Sequence, residues 1–252
     1  MPTYDYPCNE RIRIMLRLED LFAKMRFFTT DEHEFHHHMA LLTMFQVLEL
    51  IDRSDLKSDL LQELDRQKQM MDSLRGNPVI AEDTLTALLE DISQAIVGLR
   101  SMTGRIGQPL RDNEWLMAVK QRAVIPGGAC EFDVPSYHFW LGLPAESRQA
   151  DLKVWMEPLE ALEIALRVIL HILRGSGAPM ICQASQGGYQ QMLSGAKPSQ
   201  MLRVSLPDDT TCFPEISANK YAINIRFSSY EGAQKSRGCD LDFEFQLALC
   251  NL

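Results

Sequence analysis

The 252-residue sequence is short of the signatures that most often announce chemistry. No G-K-[ST] follows the glycines of IPGGAC, so no loop cradles phosphate and magnesium, and no G-x-S-x-G elbow presents a serine nucleophile. The six cysteines, Cys8, Cys130, Cys182, Cys212, Cys239 and Cys250, include no C-x-x-C pair, which excludes a zinc ribbon and a dithiol redox motif. Scattered in this way they read as reduced, mostly buried thiols. No apolar run approaches the roughly 18 residues that span a bilayer, and the opening MPTYDYPCNERIR has no apolar core of signal-peptide length. The expectation is a soluble cytoplasmic chain without membrane insertion. Positive charge is also scarce, with 25 Lys and Arg against 34 Asp and Glu, a formal charge of −9 and a pI near 5.2. That balance argues against a protein that coats nucleic acid or anionic lipid, because such binding rests on neutralising phosphates. No repeat of 20 to 50 residues and no polar low-complexity tract appears.

What is present in the first half is helical periodicity. In NERIRIMLRLEDLFAKMRFF, residues 9–28, Ile14, Leu18, Leu21, Met25 and Phe28 recur at spacings of four and three, one buried stripe. Asn9 is placed to cap it. Arg13, Arg17 and Lys24 form a basic row beside that stripe, interrupted by Asp20. Further helices are predicted from Thr30 to Asp52, from Ser54 into the seventies, and after a cap at Asp83 through Leu99, with short connections that imply a bundle. Between Gly104 and Pro144 a short helix is expected around Trp115 to Lys120, then a turn at IPGG and extended structure in the aromatic, Pro135-broken CEFDVPSYHFWLGLP. Helical periodicity returns over 145–174.

Beyond Ala178 strands dominate. In KYAINIRF, Tyr221, Ile223, Ile225 and Phe227 alternate with polar or small residues, and in DLDFEFQLA, Leu241, Phe243, Phe245 and Leu247 do the same. Each strand has one apolar face, the pattern of an antiparallel sheet packed on one side. The fold class is therefore α+β: a helical bundle domain, residues 1–103, packed with a mainly antiparallel β domain, residues 104–252, whose inserted helical segment 145–174 is expected to pack with the helical domain.

HEFHH, residues His33 to His37, matches the zinc-protease pattern H-E-x-x-H, in which two histidines grip the metal and the glutamate serves as general base. A third ligand is missing. Glu49, the nearest downstream carboxylate of this segment, lies twelve residues past His37, about 18 Å along an unbroken helix, whereas zinc ligands converge at about 2 Å. Thr29 with Glu32 as a capping box, or Thr30 alone, makes the segment a capped helix start, with His37 in step with Leu41, Met44 and Leu48. No catalytic residue, metal site or cofactor is assigned; a zinc-dependent hydrolase built on HEFHH is the alternative reading. Against the acidic background, residues 100–122 form a positive island of Arg100, Arg105, Arg111, Lys120 and Arg122 with only Asp112 and Glu114. Arginines near aromatics suit acidic peptides, because the guanidinium fork matches carboxylates. His138 stands alone among aromatics in SYHFWL, and Arg226 is expected to pair with Glu244 or Asp242 if their strands are neighbours.

Several stretches together resemble one family. YDYPCNERIRIMLRLEDLF, DLLQELDRQ at 59–67, RIGQPLR at 105–111, KQRAVIPGGACEFDVPSYHFWL at 120–141 and the late strand pair are similar, in order and over nearly the whole chain, to the ZapD family of Z-ring-associated cell-division proteins. The resemblance implies a non-enzymatic, homodimeric, cytoplasmic protein at the mid-cell division site, which binds the C-terminal tail of the tubulin-like FtsZ and bundles its filaments; that no nucleic acid is a partner is expected from the acidic charge alone. By motif it points to Arg17, Arg105, Arg111, Arg122, His138 and Arg226 as partner-binding residues. Cys8, Pro109, Glu114 and Ala222 depart from the family pattern, the last two where relatives can carry arginine.

Overall fold

The computed structural model of the chain describes residues 1–52, 55–193, 199–230, 232 and 237–252. It is an α+β structure that divides into two compact units, Arg17–Ile169 and Met1–Leu16 together with Leu170–Leu252. Helices continue past residue 104 as far as Gly175, and the first residues of the chain belong to the unit that holds the strands.

Helix α1 (Glu10–Thr30) starts as its sequence predicts, with Asn9 Oδ1 accepting the Ile12 amide at 2.9 Å. It ends later than predicted. Thr29 and Thr30 lie inside it and donate their hydroxyls back to the carbonyls of Met25 and Phe27, so neither is free to cap the next helix. The cap of α2 (Glu34–Ile51) is instead His33, whose Nδ1 accepts the Phe35 amide at 3.1 Å. Along α2 the residues Ala40, Leu41, Met44, Phe45, Leu48 and Ile51 are buried, the i, i+3, i+4 stripe of a core helix.

Helices α3 (Leu56–Asp72) and α4 (Glu82–Ser101) pack together and are tied at the surface by Arg100 to Asp65 at 3.0 Å. The expected start of α3 at Ser54 lies outside the described residues. Asp83 falls in the first turn of α4, where it meets the positive end of the dipole, and Ala81 holds the cap position. Short helices follow: α5 (Gln108–Arg111), α6 (Glu114–Ala123) capped by Asn113, and α7 (Pro135–Leu141). The last corrects the expectation of extended structure. Pro135 sits at the first helical position, where its missing N–H is not needed and its fixed φ suits the helix, so it starts α7 rather than breaking a strand. Helix α8 (Ala145–Met156) leads through a 3-10 turn at Glu157–Leu159, which contains Pro158, into α9 (Glu160–Gly175).

The other unit holds two four-stranded antiparallel sheets. Strands β1 (Thr3–Pro7), β4 (Met201–Ser205), β8 (Phe243–Cys250) and β2 (Met180–Ala184) form one in that order. Strands β3 (Gly188–Met192), β6 (Ala222–Ser229) and β5 (Cys212–Ala218) form the second, with β7 (Arg237–Gly238) also paired to β6. Their apolar faces share one core of Leu202, Val204, Ile223, Ile225, Phe227, Phe245 and Leu247. Thus β6 and β8, the two strands clearest in the sequence, touch through their apolar faces: Phe227 meets Phe243 and Phe245 at ring separations of 4.8 and 5.1 Å. They are not hydrogen-bonded neighbours, and Arg226 pairs with neither Glu244 nor Asp242. Its partner is Glu215 across the β5–β6 ladder at 2.8 Å.

Candidate functional site

Part of the positive island, Arg105, Arg111 and Lys120, gathers around the C-terminal half of α2. RIGQPLR turns sharply at Gly107, whose φ of +71° is the left-handed conformation that glycine adopts freely; a Cβ there would stand 2.6 Å from Leu48 Cδ2. The turn aims Arg111 back at α2. Its guanidinium, 19% exposed, donates to the Ile106 carbonyl at 2.5 Å, to the Leu48 carbonyl at 3.3 Å and to Asp52 Oδ1 at 2.6 Å. The fork thus serves a carbonyl in the last turn of α2 and the acidic residue beyond it, where the dipole is negative.

Lys120, one turn before the end of α6, is 3.7 Å from Glu49 of α2. Arg17, exposed on α1, borders a groove with Asp20, Leu21, Gln46, Glu49 and Leu50. Arg105 is exposed at the rim of a cavity of about 370 Å³ lined also by Ile51, Asp52, Asp55, Lys57 and Arg111. Lys57 is held there by the Met102 carbonyl at 2.6 Å. Glu49 and Asp52 thus meet Lys120 and Arg111 of the same unit, and the guanidinium groups of Arg17 and Arg105 remain without a hydrogen bond or ion pair among the described residues.

Arg122 lies at the end of α6 and is likewise exposed and unpaired among them. Its carbonyl accepts the Ile125 amide at 2.9 Å, and the Gly128 amide closes on the Ile125 carbonyl at 2.8 Å, which makes IPGG the turn its sequence predicts. Gly128 passes so close to the Arg122 carbonyl that a Cβ would collide with it. Helix α7 has two faces. Tyr137 and Trp140 are buried, while His138, 64% exposed, faces outward with Nε2 3.7 Å from Glu131. The structure brings Arg17, Arg105 and Arg111 to the surroundings of α2 and places Arg122 and His138 on the α6–α7 connection. Arg226, with Glu215, Gln190, Asn224 and Ser217, belongs to the outer face of the second sheet in the other unit.

The histidines of HEFHH, and His38 directly behind it, are spent on structure. His33 Nδ1 caps α2, His36 Nδ1 meets Asp31 Oδ2 at 3.0 Å, His37 Nε2 donates to the Asp31 carbonyl at 2.7 Å, and His38 Nδ1 is 2.7 Å from the Tyr137 hydroxyl. No group of three His, Cys, Asp or Glu arranged to hold a metal ion occurs among the described residues. Burial holds His37 and His38 below the ordinary histidine pKa; for His37 the Asp31 carbonyl opposes this and the nearby Arg148 guanidinium adds to it. These histidines border a cluster of all three tryptophans, with Trp115 stacked on Trp155 at 5.4 Å and Tyr137 on Trp140 at 5.9 Å. The sequence does not announce Asp52 and Lys57 as partners of the RIGQ segment, since both are ordinary surface residues by pattern. Phe132 and Phe139, 79% and 72% exposed, were legible only as aromatics.

These residues define an α+β protein whose candidate site is a set of exposed arginines on short, tightly turned connections and helix surfaces. The chain belongs to the ZapD family: the family model described as "Cell division protein" matches residues 16–226. It is 48% identical over 252 residues to the cell division protein ZapD of Nitrosomonas eutropha, 48% over 253 to that of Dechloromonas aromatica, and 49% over 251 to that of Chromobacterium violaceum. The first two alignments cover the whole of both chains and the third 99% of each. No helix among the described residues is long and apolar enough to cross a membrane.

Proposed function

We propose that this protein is a non-enzymatic cell-division factor of the cytoplasm that binds the C-terminal tail of FtsZ and, as a homodimer, crosslinks FtsZ filaments at the mid-cell Z-ring. The observation that carries the reading is family membership over the full length of the chain, at 48% identity to curated cell division proteins. The arrangement of charge supports it: on a chain of net charge −9, Arg17, Arg105 and Arg122 stand exposed without an acidic partner among the described residues, as an acidic peptide requires. In this reading Arg17, Arg105, Arg122 and His138 contact the tail, Arg226 of the other unit is a candidate contact considered by itself, and Arg111 holds the RIGQ turn in place. Two equivalent sites per dimer convert weak tail binding into firm crosslinking, because the second engagement is intramolecular. No observation favours the zinc hydrolase.

The test is titration of a synthetic FtsZ tail peptide against the purified protein at several salt concentrations. Binding that weakens as salt rises from about 0.05 to 0.3 M is expected, because exposed charge pairs are screened over about 10 Å at 0.1 M. No binding at any salt concentration overturns the reading.

A further inference from the structure

The α6–α7 connection carries more apolar surface than its own folding explains. Within residues 124–139, Val124, Ile125, Phe132 and Phe139 are 70%, 46%, 79% and 72% exposed, and the Cys130 side chain is exposed too. The segment is nonetheless tightly built. The IPGG turn is closed by two backbone hydrogen bonds, Cys130 Sγ donates to the Gly127 carbonyl at 2.7 Å, and the Asp133 and Val134 amides both close on the Cys130 carbonyl at 3.1 Å. Glu131 of the loop and His138 of α7, both exposed, lie 3.7 Å apart. The opposite face of α7 is fixed by Tyr137 and Trp140, with Trp140 Nε1 donating to Asp151 at 2.9 Å. An ordered frame therefore holds two phenyl rings in water, where an unspecialised loop would carry polar residues.

We propose that this surface, centred on Phe132 and Phe139 with Arg122 and His138 at its margin, is the apolar half of the peptide-binding site: it takes the apolar side chains of a tail segment whose neighbouring carboxylate pairs with Arg122. The inference rests on the reading of the chain as an FtsZ-tail binder and deepens it by stating what the tail must contain. Two observations select a peptide as the occupant. The exposed apolar area of the four side chains is roughly 500 Å², typical of a functional patch on a monomer and well short of the ~800 Å² per partner that a stable dimer buries. In the same segment the guanidinium of Arg122, exposed at the end of α6, has no partner among the described residues, which selects a ligand that is apolar with an acidic residue attached. Recognition through arginines alone would be lost in salt; an apolar anchor gives the complex a component that salt does not screen.

The experiment is fluorescence anisotropy with a labelled FtsZ tail peptide on the full-length protein, comparing wild type, Phe132→Ser with Phe139→Ser, and Arg122→Gln. Sedimentation velocity and thermal unfolding are recorded on each. The double Phe variant is expected to bind at least tenfold more weakly with an unchanged salt slope, and Arg122→Gln to bind more weakly with a shallower slope. Unchanged unfolding temperatures and an unchanged sedimentation coefficient show that the loss is one of contact. Peptide binding by the double variant equal to wild type overturns the inference and leaves the FtsZ reading standing. A double variant that binds normally but changes oligomeric state overturns it in favour of a contact between copies. Wild-type protein that fails to bind the tail overturns both.

Discussion

Replacing Arg111 by alanine separates a frame residue from a contact residue. Its bond to the Ile106 carbonyl, a charged donor in a half-buried setting, is worth about 1.5–3 kcal/mol, and its loss leaves that carbonyl to find water. The Asp52 pair adds little, about 0.5 kcal/mol, because Asp52 is nearly half exposed and screened, and the 3.3 Å contact to the Leu48 carbonyl is weaker still. The sum is about 2–3 kcal/mol, which for a chain of this size lowers the unfolding temperature by about 5–10 °C. Arg111→Lys keeps the charge without the fork and recovers only part of this. Arg122→Ala and Arg105→Ala remove side chains without partners among the described residues and leave the unfolding temperature within about 1–2 °C of wild type. Differential scanning calorimetry of the four variants measures it. Arg111→Ala that unfolds with the wild type while losing tail binding would refute the assignment and make Arg111 a contact.

Gly107→Ala puts a Cβ within 2.6 Å of Leu48 and forces a non-glycine residue to φ +71°; a loss of about 2 kcal/mol or more in urea unfolding is expected, and a neutral result contradicts the packing described. His37 and His38 titrate below the ordinary value of 6.5 because burial disfavours their charged forms. The unfolded chain therefore takes up protons first, so stability is full above about pH 6.5 and falls as pH drops from there toward the folded values. The slope is at most about 1.4 kcal/mol per pH unit for each histidine; urea midpoints that stay level from pH 7.5 to 5.5 exclude it. Arg26→Ala removes two 2.6 Å hydrogen bonds to Glu163, but Arg26 is more than half exposed, so a loss of no more than about 1 kcal/mol is expected by the same measurement.

Local physics made part of this structure legible in the sequence. Asn9 announced the start of α1, the alternation of Ile223, Ile225 and Phe227 announced β6, and both are as expected because backbone and burial periodicity decide them. The expectations that failed depend on contacts remote in sequence. Thr29 and Thr30 look like caps, yet they close the preceding helix, and nothing local distinguishes the two uses. Pro135 reads as a breaker until the burial of Tyr137 and Trp140, three apart, gives α7 an inner face. Arg226 sits beside Glu215 rather than Glu244 because β6 and β8 meet through their apolar faces, and strand order is not written in the alternation of either strand. In the candidate site the arginine types and their clustering were visible. The division between Arg111, turned inward, and Arg105 and Arg122, left outward, depends on the Gly107 turn and on where α2 ends.

Co-sedimentation of the purified protein with FtsZ polymers, comparing intact FtsZ with FtsZ lacking its C-terminal tail, bears most directly on the central claim. The protein is expected to pellet with intact filaments, to bundle them, and to remain in the supernatant with the truncated ones; equal pelleting with both, or with neither, would contradict it.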